Sequence, residues 1–274
     1  MQIAIQGEPG SFSHEAALNL YPDATIVPCA LSKDVFRQVI EGRVEAAVIP
    51  IENSLAGPVV EHYDLLLAEE VLIENESLLR IRHNLISVPG VLVANLRRVY
   101  SHPVALAQCR KFFDAHPQIA ATPFYDTAGS VKHLLETSDQ TSGAIASRLA
   151  AQHYGGEILA AGIEDNAANF TRFYCIRRSA LVKPGSGADK VSLAFTVQNR
   201  PGSLVEALLV FAGLNTNLTK IESRPVHGKP WQYVFYVDYQ LLNIETADAA
   251  LELLKPYCSM VKELGRYRAA AGEV

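Results

Sequence analysis

The chain has 274 residues, 49% of them hydrophobic and 19% charged, and a formal net charge of -5. That composition builds packed globular domains, about two of them by length, and excludes a disordered polymer. With no global basic field, nucleic acid and anionic membrane are poor default partners, so an anionic ligand has to be held by local dipoles and a few basic groups. From the N-terminus, residues 2–6 read as a strand, and a helix beginning at Ser13 carries Ala16, Ala17 and Leu20. Residues 25–28 return as a strand, Ser32 is placed as the cap of a helix, and Val35, Phe36, Val39 and Ile40 share one face of it. Residues 46–51 form a continuous apolar run, as in a strand covered on both sides, and a helix follows over 59–68. This βαβαβα order implies a parallel sheet with right-handed crossovers.

A strand-rich stretch over 71–93, ending in Pro89-Gly90, interrupts the rhythm. The alternation resumes with a strand at 98–101, a helix from Ala105 to Phe113, a strand at 119–124 and a helix at 128–135. A strand at 143–146, a helix opened by Ser147, and strands at 158–163 and 172–177 complete it. Two βα blocks joined by extended segments predict two lobes with a cleft between them, and parallel strands aim their carboxyl ends and the following helix N-termini at that cleft. Lys183-Pro184-Gly185-Ser186-Gly187-Ala188-Asp189 reads as a linker. Beyond it, a strand (190–197), helix (203–213), two strands (217–225, 231–240), helix (246–256) and strand (260–266) give the ferredoxin-like order βαββαβ. The expected division is therefore a two-lobed domain over 1–182 and a second domain over 190–268.

Several chemistries find no support. Gly7-Glu8-Pro9-Gly10 lacks the third glycine of a dinucleotide fingerprint and the Gly-Lys-Ser/Thr of a phosphate loop. His14-Glu15 begins like a zinc helix, but Leu18 stands where the second histidine belongs, so no metal is expected. No Gly-x-Ser-x-Gly elbow is present. The start, Met1 to Gly7, has no charged and apolar secretory pattern, no run reaches the roughly 18 apolar residues of a membrane span, and Cys29, Cys109, Cys175 and Cys258 are scattered; a cytoplasmic location is expected.

What recurs is a buried strand ending in small polar residues just before a helix. The clusters are Gly10-Ser11-Phe12-Ser13, the stretch from Pro50 through Asn53 and Ser54 to Pro58, Ser101-His102-Pro103 with Gln108, Tyr125-Asp126-Thr127-Ala128-Gly129-Ser130, Ala146-Ser147-Arg148, and Asn169-Phe170-Thr171-Arg172-Phe173. Taken singly, Ser11, Ser13, Asp126, Thr127 and Ser147 are ordinary helix caps, and Asn53 could fold its amide onto its own backbone. Taken together, several helix N-termini facing one crevice make a carboxylate site. Arg172 could grip a carboxylate in a bidentate pair or serve as a structural partner of Glu164 or Asp165. The residues alone lead to a two-lobed binder of a small anion, catalytic or not.

In this order and spacing the clusters resemble the prephenate dehydratase family. The resemblance is carried by Gly10-Ser11-Phe12-Ser13, Val48-Ile49-Pro50-Ile51-Glu52-Asn53-Ser54, Ser101-His102-Pro103 with Ala107-Gln108-Cys109, Asp126-Thr127-Ala128-Gly129-Ser130 and Thr171-Arg172-Phe173. In the second domain, Pro201-Gly202-Ser203-Leu204 and Asn217-Leu218-Thr219-Lys220-Ile221-Glu222-Ser223-Arg224-Pro225 look like the two phenylalanine-binding segments of an ACT domain. The resemblance implies a periplasmic-binding-protein-like catalytic domain with parallel-rich sheets, a C-terminal ACT domain, and conversion of prephenate to phenylpyruvate, water and CO2 without a cofactor. It implies Thr171 as the residue assisting the leaving hydroxyl, Arg172 as a carboxylate partner and Phe173 as a wall against water. Ser11, Asn53, Ser54, His102, Gln108, Asp126, Thr127 and Ser147 are the pocket candidates, with His102 a second possible proton donor. An effector site for L-phenylalanine falls on Gly202, Ser203, Leu204, Asn217, Leu218, Glu222, Ser223, Arg224 and Pro225, in a homodimer or homotetramer. The chain departs from the family pattern at Ser203, where alanine is usual, and at Val104, where a longer polar residue is common. Arogenate dehydratase, acting on the amino analogue, is the nearest alternative.

Overall fold

A computed structural model describes residues 1–182, 187–226, 228 and 231–270; residues 183–186 of the expected linker lie outside the described residues. The chain divides into two compact units, Met1–His62 with Ser77–Phe173, and Tyr63–Glu76 with Tyr174–Val274.

The elements run β1 (Gln2–Gln6), α1 (Phe12–Leu20), β2 (Thr25–Cys29), α2 (Ser32–Ile40), β3 (Ala46–Asn53), the short β4 (Gly57–Pro58), α3 (Val60–Ala68), β5 (Val71–Arg80) and β6 (Asn84–Ser87). After a 3-10 turn come β7 (Arg98–Ser101), α4 (Pro103–Ala107), α5 (Arg110–Ala115), β8 (Ala120–Pro123), α6 (Thr127–Thr137), β9 (Ser142–Ala146), α7 (Arg148–Tyr154), β10 (Glu157–Ala160) and β11 (Phe170–Arg178). One sheet has the order β2-β1-β3-β11-β5, with β4 hairpinned onto β3, and β1 pairs in parallel with both β2 and β3. Ile3, Ala4 and Ile5, and the run from Ala46 to Ile49, are wholly buried, which is why these strands read as unbroken apolar runs.

A second sheet has the order β10-β6-β9-β7-β8; β7 is parallel to β8 and β9, whereas β6 runs antiparallel to β9 and β10. Alternate side chains serve opposite faces: Leu85, Val99 and Ile145 join one core with Leu96, and Ile86, Ala144 and Ala146 pack on Val131 and Leu134 of α6 in another. The expected helix from Ala105 to Phe113 is broken into α4 and α5 at Gln108 and Cys109. A distant residue breaks it: the Asp165 carboxylate accepts the N–H groups of Arg110 and Lys111 at 2.9 Å each, and its own N–H donates to the Gln108 carbonyl at 2.7 Å. Ser32 is the first helical residue of α2 rather than its cap; its hydroxyl lies 2.8 Å from Glu61 Oε2 and 3.1 Å from Gln6 Oε1. The last strand expected before the crossover, 158–163, is shorter, ending at Ala160 with a bulge after Ile158.

The second unit holds β12 (Lys190–Val197), α8 (Ser203–Gly213), β13 (Leu218–Pro225), β14 (Tyr233–Gln240), α9 (Ile244–Leu254) and β15 (Cys258–Tyr267). Their antiparallel sheet, β13-β14-β12-β15, is the ferredoxin-like arrangement. Val191, Leu193 and Phe195 of β12 share a core with Phe211 and Leu254. The opposite face of β12 is buried as well, and it is polar. Lys190 Nζ pairs with Glu76 at 2.7 Å, and Ser192 and Tyr174 donate to Asp238 at 2.5 and 3.2 Å. Gly265 of β15 admits Ile73 so closely that a Cβ there would lie 2.3 Å from the Ile73 carbonyl oxygen.

Candidate active site

A cavity of about 690 Å³ opens in the first unit where the carboxyl ends of β1, β2, β3, β7 and β8 converge. Ser11, Phe12 and Ser13 reach it from the cap and first turn of α1, Asn53 from the end of β3, His102 and Gln108 from the two ends of α4, Asp126 and Thr127 from the start of α6, and Thr171 and Phe173 from β11. Each position follows from local physics. Ser11, His102, Asp126 and Ser147 all cap helices, accepting backbone N–H groups two or three residues on.

At the centre, five side chains form one hydrogen-bonded chain. The N–H groups of Leu55 and Ala56 donate to Asn53 Oδ1 at 3.0 and 2.9 Å, which fixes that atom as oxygen and the other as the amide nitrogen. The two protons of Asn53 Nδ2 face three acceptors, Asn169 Oδ1 at 2.7 Å, Thr171 Oγ1 at 2.9 Å and, farther off, the Phe170 carbonyl at 3.1 Å. Asn169 in turn donates through Nδ2 to Gln108 Oε1 at 2.9 Å, while Gln108 Nε2 lies 3.4 Å from Asn53 Oδ1. Gln108 Oε1 is therefore an acceptor, so His83 Nε2, 2.9 Å away, carries a proton. His83 Nδ1 is buried without a partner and is the lone-pair nitrogen of a neutral ring. Burial lowers the His83 pKa, and protonation would strand a donor at Nδ1. The consequence falls on Thr171. Its oxygen already accepts from Asn53, so its own proton is left to donate.

Elsewhere on the lining, Glu8 accepts from Tyr125 Oη at 3.0 Å and from Lys132 Nζ at 3.2 Å. Burial, then the bond to Glu8, pushes the Tyr125 hydroxyl up to about 12. Burial also raises the Asp126 carboxyl; the Gly129 N–H works against that rise and the nearby Glu8 adds to it. Gly10 fits against α7, where a Cβ would lie 2.7 Å from Ala150 Cα, and its carbonyl accepts from Ser147 Oγ at 2.5 Å.

The expected pocket residues thus separate into two groups. Ser11, Asn53, His102, Gln108, Asp126, Thr127, Thr171 and Phe173 line the cavity; Ser54, Ser147 and Arg172 do not. Ser54 clips β3 to β11, donating to the Ala168 carbonyl at 3.0 Å and accepting the Phe170 N–H at 3.0 Å. Ser147 is turned onto Gly10. Arg172 faces Glu52 at 3.4 Å on the neighbouring strand, and neither Glu164 nor Asp165 is its partner. His83, Glu8 and Tyr125 on the wall, and the wholly buried Asn169 behind it, are not among the residues expected in the pocket. Of these only Asn169 and Tyr125 stood in polar clusters; a lone histidine between two strands gives no local signal. In the second unit, Gly202 (φ 86°) begins α8 and residues 218–225 form the edge strand β13. Ser203 is buried with its hydroxyl donating to the Gln198 carbonyl at 2.6 Å, so the family's usual alanine is replaced by a serine satisfied inside the protein.

Comparison with known proteins adds a family. The sequence model of "Prephenate dehydratase" matches residues 3–180. The chain is 39% identical over 270 residues to the bifunctional chorismate mutase/prephenate dehydratase of Aquifex aeolicus, covering 97% of this chain and 73% of that one. It is 37% identical over 287 residues to arogenate dehydratase 2 of Petunia hybrida, covering 99% and 73%. Among solved structures, prephenate dehydratase from Arthrobacter aurescens in complex with L-Phe superposes with a TM-score of 0.90 at 32% identity, covering all of this chain and 92% of that one. GqqA, described as a quorum quenching acylase, superposes with a TM-score of 0.89 at 34% identity, with 99% of each chain covered.

Proposed function

The chain belongs to the prephenate dehydratase family, and we propose that it catalyses the decarboxylating dehydration of prephenate to phenylpyruvate, water and CO2 in the cavity lined by Thr171. The chemistry asks for little beyond placement. The bond to the ring carboxylate breaks, its electron pair enters the ring, and the C4 hydroxyl departs with one proton taken up, leaving an aromatic product. The observation that carries the reading is the Thr171 hydroxyl on the cavity wall, accepting from Asn53 and so poised to donate. A threonine of ordinary acidity is a poor acid, so it hydrogen-bonds the departing oxygen or relays a proton and does not ionise. The N–H groups opening α1 and the neutral cap residues hold carboxylates, and Phe173, 1% exposed, keeps water from the ring. Arg172, next to Thr171 on β11, is paired across the sheet with Glu52 of β3. Purified chain supplied with prephenate should form phenylpyruvate; no turnover of either prephenate or arogenate would end this reading.

One observation favours arogenate as a second substrate. Asp126 lines the cavity beside Glu8, which is paired with Lys132, and no lysine or arginine lines it among the described residues. Arogenate carries an ammonium where prephenate has a ketone, so it brings less negative charge into that setting and offers Asp126 a partner. The ratio of kcat/KM for the two substrates decides the matter.

Regulation belongs to the same proposal. L-phenylalanine inhibits through the segments 202–204 and 217–225, and the chain works as a homodimer or homotetramer; the relative solved with L-Phe bound supports the effector. Titrating phenylalanine while following rate and oligomer size tests both, and no response of either would sink the regulatory part. The four free cysteines agree with a reducing, cytoplasmic setting.

A further inference from the structure

A second cavity, of about 650 Å³, lies in the first unit at the two crossings between its sheets, where residues 79–84 and 161–167 run. Its size falls in the range of about 300–1,000 Å³ usual for small-molecule sites. Three arginines line it: Arg80 at the end of β5, Arg82 just beyond, and Arg148 at the start of α7. None of the three makes an ion pair among the described residues.

Two carboxylates share the cavity, one fewer than the arginines. Glu164 is committed to the backbone N–H of His83, which donates to its Oε2 at 2.9 Å. Glu15 lies partly buried, and burial opposes its ionisation while only Arg82 favours it. All three arginines are exposed, and each presents a flat fork of donors to whatever enters. In a chain of net charge -5 this is a local reversal of sign.

We propose that this cavity is an anion site, separate from the Thr171 cavity, for a small multivalent oxyanion, a polycarboxylate or a phosphate, held by Arg80, Arg82 and Arg148. The site adjoins the first one. Phe12 lines both cavities and lies edge-on to His83 with ring centroids 5.6 Å apart, and Glu164 anchors the backbone of His83. An anion bound among the arginines therefore rests against the support of the hydrogen-bonded chain that ends at Thr171.

Calorimetric titration of the full chain at low ionic strength, with citrate in one arm and inorganic phosphate in the other, tests the site without reference to turnover. Saturable binding of at least one anion is expected, weakened ten-fold or more in Arg82→Gln and in Arg148→Gln, with Arg82→Lys intermediate; the arm that binds more tightly names the chemical source. Circular dichroism of each variant checks that it is folded. No saturable binding in either arm, or binding that both glutamine variants leave unchanged, overturns the proposal.

Discussion

Asn53 Nδ2 lies 2.9 Å from Thr171 Oγ1, and the N–H groups of Leu55 and Ala56 hold the other end of the Asn53 amide so that it cannot turn over. One hairpin between β3 and β4 thus decides which way a hydroxyl on β11 points its proton. Asn53→Asp reverses this. The carboxylate still accepts the two hairpin N–H groups but can only accept from Thr171, whose proton then turns away from the cavity. The expected result is a fall in kcat of about 10- to 100-fold, the size of a lost and partly inverted hydrogen bond, with a smaller change in KM. Steady-state kinetics of phenylpyruvate formation measures it.

His83 sits at the far end of the same chain. In the unfolded chain its pKa is near 6.5, and in the folded protein burial lowers it, so the unfolded state binds more protons between those two values. The contribution of His83 to stability is therefore undiminished above the unfolded pKa and lost as pH falls below it. His62 and His14 are lowered for the same leading reason and act in the same direction, whereas the raised Asp126 carboxyl costs stability as pH rises. Thermal unfolding of His83→Gln, which retains a donor for Gln108, should lose less stability than the parent between pH 7 and pH 5. An identical pH dependence would mean that His83 is not held neutral.

Gly10 has φ 86° and no room for a side chain against α7. Gly10→Ala combines left-handed strain with a clash on backbone, and should destabilise by about 1–3 kcal/mol or more. Gly57, also left-handed (φ 84°) but with open space around it, isolates the strain alone. Chemical denaturation of Gly10→Ala beside Gly57→Ala should show the larger loss at position 10.

In the second unit, Lys190 and Glu76 are paired at 2.7 Å with side chains only 9% and 5% exposed. Glu76→Ala leaves a buried ammonium without its partner and should cost about 3–5 kcal/mol, while replacing both residues with apolar ones of similar volume should be close to neutral. Equal losses for the single and the double variant would show that the pair itself carries the stability.

The parts of this fold legible in the sequence are those specified locally. Unbroken apolar runs mark β1 and β3, and of the possible caps Ser11, Asp126 and Ser147 open helices, because a cap acts within three residues of itself, whereas Ser13 and Thr127 stand inside the helices. The site was legible where it coincides with such caps and strand ends. What stayed hidden is held together across long separations in the chain: Asn53 meets Thr171, and His83 meets Gln108, through bonds that no local pattern encodes. The break between α4 and α5 escaped for the same reason, because Asp165, more than fifty positions on, imposes it. Arg172 is open in the sequence to a bidentate carboxylate grip or a pairing with Glu164 or Asp165, and the Glu52 it faces at 3.4 Å is a neighbour only across the sheet.

Thr171→Val is the most direct test of the hydroxyl at the centre of the site. It keeps the shape of the side chain and removes the hydroxyl proton that Thr171 has to donate. Phenylpyruvate formation should fall by about 10² or more in kcat, with Thr171→Ser largely restoring it. A Thr171→Val enzyme that is folded and turns over prephenate at the parental rate would contradict the role assigned to Thr171.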